Sequence, residues 1–130
     1  MAQIPIGTVG EYKTRVTSDI TITFMGVDGA RVLSTPEMIR LMEHACRDVV
    51  LPLLDSGHDT VGTHVNVFHR AAAPMGSQVT VRAEVLGTTD RRIQFRVEAA
   101  TEKETIGEGT HERTIVNVAK FAAKQAEKGG

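Results

Sequence analysis

The sequence has no tryptophan, one tyrosine and four phenylalanines in 130 residues. A core built from it must rest on Val, Ile, Leu and Met rather than on aromatic rings. The single cysteine, Cys46, excludes an intrachain disulfide and is compatible with a reducing compartment. No apolar run approaches the roughly 20 residues of a membrane-spanning helix. The opening MAQIPIGTVG lacks a basic region followed by an apolar stretch, so no signal peptide is expected and a cytoplasmic location is the default. Charge of either sign is not in excess: 15 Lys and Arg stand against 16 Asp and Glu, mixed along the chain. That argues against a nucleic-acid partner. No pair of His or Cys residues has zinc-ligand spacing, so no metal is expected. A G-x-S-x-G elbow and a phosphate-binding glycine loop are both missing. Internal repeats and long linkers are absent too, and residues 1–130 read as one domain with a polar tail at 119–130.

What is present begins with one long helix, expected over Ser34 to Leu54 (STPEMIRLMEHACRDVVLPLL). Ser34 and Thr35 are both suited to an N-cap, and Pro36 suits the first helical position. At about 100° per residue, Met38, Leu41, Met42, Ala45, Val49 and Leu53 share one side, flanked by Ile39, Cys46 and Val50. That arc is wider than a surface helix needs, as for a helix cradled by a sheet. Glu43 sits at its edge, where a carboxylate calls for a partner or a job. Pairing with Arg47 at i+4 is the structural alternative.

Around this helix the period is two. Residues 11–16 and 20–24 are expected as strands before it, and 60–70, 77–86, 92–100 and 105–118 as strands after it. In the first of the later strands, Val61, Thr63, Val65, Val67 and His69 are expected on one face. Gly107 and Gly109 mark a bulge or a close backbone approach. Short connections imply antiparallel neighbours. The fold class is α+β: one long central helix wrapped by a curled antiparallel sheet of about five strands. One helix cannot cover both faces of such a sheet. A homodimer is therefore expected, with a dimer of dimers as the larger alternative.

Three segments narrow this layout: TPEMIRLMEHAC from Thr35, VGTHVNVFHRAAAP from Val61 and GEGTHER from Gly107. In that order they resemble the hot-dog-fold acyl-CoA thioesterases related to fluoroacetyl-CoA thioesterase. The resemblance implies a hot-dog fold and hydrolysis of an acyl-CoA to free acid and CoA, with no cofactor because coenzyme A is part of the substrate. It carries catalytic roles to Thr35, Glu43 and His69, and substrate-binding roles to Gly62 and Arg113. The bland readings are an N-cap for Thr35, a bulge for Gly62 and an ion pair for Arg113. His64 and His111 are expected to point elsewhere.

The loop before the helix, GVDGAR from Gly26, has no counterpart to the phenylalanine lid of the fluoroacetyl enzymes. A short- or medium-chain acyl group is therefore expected rather than a fluorinated one. Two other readings fit parts of the sequence. A non-catalytic acyl-thioester binder would have the same fold. A hot-dog enoyl-CoA hydratase would use Asp59 and His64, which have its spacing, but the residues between them lack that motif's Asn-Pro.

Overall fold

Alternation of Val, Ile, Phe and Ala with charged residues decides most of the sheet. In the computed structural model, which describes residues 3–130, five strands follow it: β1 (Val9–Arg15), β2 (His58–His69), β3 (Gln78–Thr89), β4 (Arg92–Ala100) and β5 (Thr105–Asn117). All neighbours are antiparallel, in the order β1-β3-β4-β5-β2. The inner rows Val79, Val81, Ala83, Val85 of β3 and Ile93, Phe95, Val97, Ala99 of β4 are fully buried. They meet the helix α1 (Thr35–Val50) through Met38, Leu41, Met42, Ala45, Cys46 and Val50.

The helix and neighbouring strands touch β5 closely where side chains are missing. A Cβ on Gly107 would lie 2.5 Å from Met38 Sδ, and one on Gly109 would lie 2.1 Å from Asn66 O. Both readings hold in part: the register of β5 against β2 runs through both glycines without a break, while against β4 it shifts beside Gly107, where Ala99 pairs with Gly107 and Ala100 with Thr105.

Three expectations need correction. Residues 20–24 do not form a strand. Ser18–Ile20 is a 3-10 turn, Thr21 makes only an isolated bridge to Leu33, and Phe24 is exposed. The segment is instead tied down by Arg31, whose Nε donates to Thr21 Oγ1 at 2.9 Å and whose Nη2 donates to Ser18 O at 2.7 Å. The helix also ends sooner, at Val50, because Pro52 has no N–H to continue it; Leu51–Leu53 form a 3-10 turn. Finally, β2 does not keep one face throughout. A register break between Gly62 and His64 flips its alternation. Thr60 and Gly62 face inward before the break, and Val67 and His69 after it.

The tail folds as a second helix, α2 (Val118–Gly129), capped by Asn117, whose Oδ1 accepts from Lys120 N at 3.0 Å; none of its residues is buried. The sheet's outer face carries exposed Arg82, Arg96, Glu98 and Glu108. Among them stand exposed apolar side chains, Phe68 at 55% and Leu86 at 38%. The sheet ends at two edges, β1, bonded only to β3, and β2, a 12-residue strand bonded only to β5.

Candidate functional site

Two adjacent hydroxyls open α1, and only one caps it. Ser34 is the N-cap, its Oγ accepting from Glu37 N at 3.3 Å. Thr35 is therefore free of that duty. Its Oγ1 lies 2.7 Å from Nδ1 of His69, the last residue of β2. Burial holds the His69 imidazole below its ordinary pKa, while a contact with the Ala71 backbone works the other way. A neutral ring is thus favoured, and its Nδ1 can accept the Thr35 proton. In that tautomer Nε2 carries the ring N–H; this atom is buried and has no hydrogen-bond partner among the described residues. The pair borders an open cleft of ≈ 340 Å³ whose walls include Ile22, Phe24, Val32 and Ala72. A cavity of similar size near His58, Arg91 and Lys120 contains neither Thr35 nor Glu43, so volume alone does not pick out this site.

Glu43 lies two turns further along α1 and meets a different set of groups. Its Oε2 accepts from Arg113 Nη1 at 3.3 Å, and its side chain is 41% exposed. Arg47, its alternative partner at i+4, is taken instead by Asp59 in a two-point contact at 2.9 and 2.7 Å. That contact also holds the Asp59 carboxyl below its ordinary pKa and removes it from the role a hydratase would need. Gly62 faces the Glu43 carboxylate across the sheet. A Cβ there would stand 2.9 Å from Glu43 Oε2 and 3.2 Å from His111 Cε1. Gly62 is both next to the register break and the reason Glu43 can approach the strand.

The five residues singled out in the sequence therefore fall into two groups. Thr35 joins His69; Glu43 joins Arg113 and Gly62. Eight residues of helix at about 1.5 Å each separate Thr35 from Glu43 by roughly 12 Å.

Two neighbours were missed. His111 is buried with Arg113, next to Glu43, rather than pointing elsewhere; its position two residues before Arg113, on the same face of β5, was the available signal. Phe24 was assigned to a strand, yet it is 78% exposed at the Thr35 cleft. Among the described residues no group of His, Cys, Asp or Glu is arranged to hold a metal. No helix among them is long and apolar enough to cross a membrane.

Residues 16–119 match the FlK family, described as fluoroacetyl-CoA-specific thioesterase. The chain belongs to that family. The fluoroacetyl-CoA thioesterase of Streptantibioticus cattleyicolor is 42% identical over 97 residues, 75% of this chain and 70% of that protein. A threonine-to-serine variant of FlK in complex with acetyl-CoA is 33% identical with a TM-score of 0.89, covering 96% of this chain and 98% of that one. A Thermus thermophilus thioesterase-superfamily protein is 34% identical with a TM-score of 0.89, covering 98% and 94%. The architecture of one long central helix against a five-strand sheet is the hot-dog fold of the FlK family.

Proposed function

We propose that the protein is a cytoplasmic acyl-CoA thioesterase that hydrolyses a short- or medium-chain acyl-CoA to the free acid and CoA. The observation that carries this reading is the Thr35–His69 contact at 2.7 Å beside an apolar cleft, with Ser34 leaving the threonine hydroxyl free. Membership of a thioesterase family makes the reaction type hydrolysis.

A thioester carbonyl is already activated, and a thiolate leaves readily. The reaction asks for a directed water or nucleophile and for stabilisation of the oxyanion, more than for a strong acid. Thr35 stands in the first turn of α1, where the helix dipole favours developing negative charge, and its hydroxyl orients the carbonyl. Glu43 is the base or nucleophile, and neutral His69 moves the proton that ends on the departing sulfur. Arg113 and Gly62 hold Glu43 in place.

Reacting atoms must approach to about 3–3.5 Å. One chain, with roughly 12 Å along the helix between Thr35 and Glu43, cannot bring both to one carbonyl carbon. The working unit is accordingly a homodimer built on the free edge of β2, where Phe68 is 55% exposed. Glu43 of one copy then serves Thr35 and His69 of the other. The orphaned Nε2 of His69 suits an arriving acceptor.

The test is release of free thiol from acetyl-, butyryl-, hexanoyl- and fluoroacetyl-CoA. Turnover of at least one unfluorinated thioester is expected. Binding of all four without thiol release would replace the enzyme by an acyl-thioester-binding protein.

A further inference from the structure

β5 presents an unusual inner row to the helix: Gly107, Gly109, His111, Arg113, Ile115. Two of these are polar and nearly inaccessible, His111 at 3% exposure and Arg113 at 6%. A buried guanidinium is tolerated only when its hydrogens find acceptors. Those of Arg113 do. Nε donates to Thr60 Oγ1 at 2.7 Å and Nη2 to Thr60 O at 2.9 Å, which together fix the plane of the group. Nη1 has two hydrogens and two neighbours, His111 Nε2 at 3.2 Å and Glu43 Oε2 at 3.3 Å.

The state of the imidazole follows from its other nitrogen. His111 Nδ1 lies 2.8 Å from the backbone oxygen of His64. A carbonyl only accepts, so Nδ1 carries the proton. In the neutral ring, Nε2 is then a lone pair aimed at Arg113. The ring itself is held against Phe95, centroids 6.1 Å apart and 25° between planes.

We propose that His111 is a positioning residue for the thioesterase reaction: as a neutral, Nδ1-protonated acceptor it occupies one Nη1 hydrogen of Arg113 and so limits the guanidinium to a single contact with Glu43. The inference rests on the thioesterase reading above. Without the His111 acceptor, the guanidinium can shift within its plane toward Glu43. The ion pair tightens, and the carboxylate is withdrawn from the attacking group. A second ring proton has the same effect from the other side, because two N–H groups then oppose each other at Nε2 and Nη1.

The groups facing His111 all bear on that second proton. Burial disfavours it most, and Arg113 also opposes it; the His64 carbonyl, Glu43 on α1 and Glu112 on β5 favour it, with the balance below the ordinary value. Cys46 of α1 lies near the cluster, but burial pushes its thiol up to about 12, so it stays uncharged. Phe95 of β4 brings no charge.

The test uses the full-length protein with two variants. His111→Phe keeps the ring's bulk and its stack on Phe95 but has no acceptor; His111→Gln can accept from Arg113 and donate to the His64 carbonyl. The expected result is a kcat at least about 10-fold lower for His111→Phe with KM within about 3-fold, and substantial recovery in His111→Gln. The acid limb of kcat should lose its His111 component in both variants.

Nitrogen-15 NMR of the wild-type side chain should show the Nδ1–H tautomer at neutral pH. An Nε2–H tautomer, a charged ring at neutral pH, or a folded His111→Phe enzyme within about 2-fold of wild-type kcat would each overturn the proposal. Absence of thiol release by the wild type would instead fail the thioesterase reading and, with it, the catalytic role assigned to His111. The NMR arm would then report only the tautomer.

Discussion

At the first turn of α1 the polar groups are few and open: Thr35 is exposed, His69 is half-buried, and the cleft beside them is walled by apolar side chains. Two turns on, around Glu43, the order is reversed. Arg113 donates to Thr60 twice, to His111 and to Glu43, and the group closes so tightly that a Cβ at position 62 would push the Glu43 carboxylate aside. An open apolar end can admit an acyl chain and change its occupant. A closed polar end cannot, but it can hold one carboxylate in one orientation. A hydrolase needs both, and this chain builds them about 12 Å apart on one rigid element.

The largest effects should come from removing the chemistry at either end while leaving the scaffold. Glu43→Gln and Thr35→Ala should each lower kcat by about 10² or more, as is typical when acid–base or oxyanion groups are lost. Ser34→Ala is the control that separates capping from chemistry. It should cost about 1 kcal/mol of stability and leave kcat within a few-fold, the reverse of Thr35→Ala. Thiol release together with thermal melts reads both. Turnover of Glu43→Gln within a few-fold of wild type would take Glu43 out of the mechanism.

Mixing the two inactive variants asks whether the ends cooperate across a dimer. With Thr35 and His69 of one copy served by Glu43 of the other, a heterodimer of Thr35→Ala and Glu43→Ala chains holds one doubly damaged site and one intact site. Random pairing of equal amounts makes half the dimers mixed, so recovery of about a quarter of wild-type activity is expected. Sites contained within single chains would give none. Sedimentation at micromolar concentration should show a dimer, and a stable monomer would sink both the assembly and the shared site.

The open end was the more legible of the two in the sequence, and the reason is local. A helix start announces itself through Ser34, Thr35 and Pro36, and strand periodicity placed the inner rows of β3 and β4 correctly. The closed end depends on pairings that no local pattern specifies. His111 and Arg113 read as ordinary alternate residues of a strand until Thr60 and Glu43, some fifty and seventy positions earlier, are brought against them. The face of β2 was misread for a related reason: a one-residue register break between Gly62 and His64 reverses the alternation without leaving a mark in the hydrophobic pattern. Residues 20–24 alternate like a strand but do not join the sheet, because pairing with Val32–Ser34 claims them first.

Acidification should weaken the open end through His69. Burial holds its pKa below the ordinary value of about 6.5. The neutral ring, able to accept the Thr35 proton, is therefore complete above about pH 6.5 and is lost as pH falls through the folded-state value. Stability moves the same way: below about pH 6.5 the unfolded chain binds more protons than the folded one, so the folded state loses ground on acidification. A kcat profile and a melt series between pH 8 and pH 5 should both decline toward acid. In His69→Gln the stability decline should be shallower. An acid-side rise in stability would mean that His69 is held charged.

The smallest expected effect concerns what the open cleft admits. The loop GVDGAR supplies no aromatic wall, but Phe24, just before it, stands 78% exposed at the mouth of the cleft with Ile22 and Val32. An apolar wall of this kind rewards chain length: each methylene it removes from water is worth about 0.8 kcal/mol, or roughly 4-fold in kcat/KM. Ile22, Phe24 and Val32 themselves carry no charge or polar group with which to recognise fluorine. From acetyl to butyryl to hexanoyl, kcat/KM should therefore climb until the cleft is full. Fluoroacetyl-CoA should exceed acetyl-CoA only by its intrinsic reactivity. Phe24→Ala should flatten the climb to less than about 2-fold per methylene while leaving acetyl-CoA turnover almost unchanged, because the two-carbon acyl group ends near Thr35 and does not reach the ring. An unaltered slope in Phe24→Ala would place the acyl chain elsewhere. A preference for fluoroacetyl-CoA of several orders of magnitude would assign the ring a tighter, lid-like closure over the carbonyl.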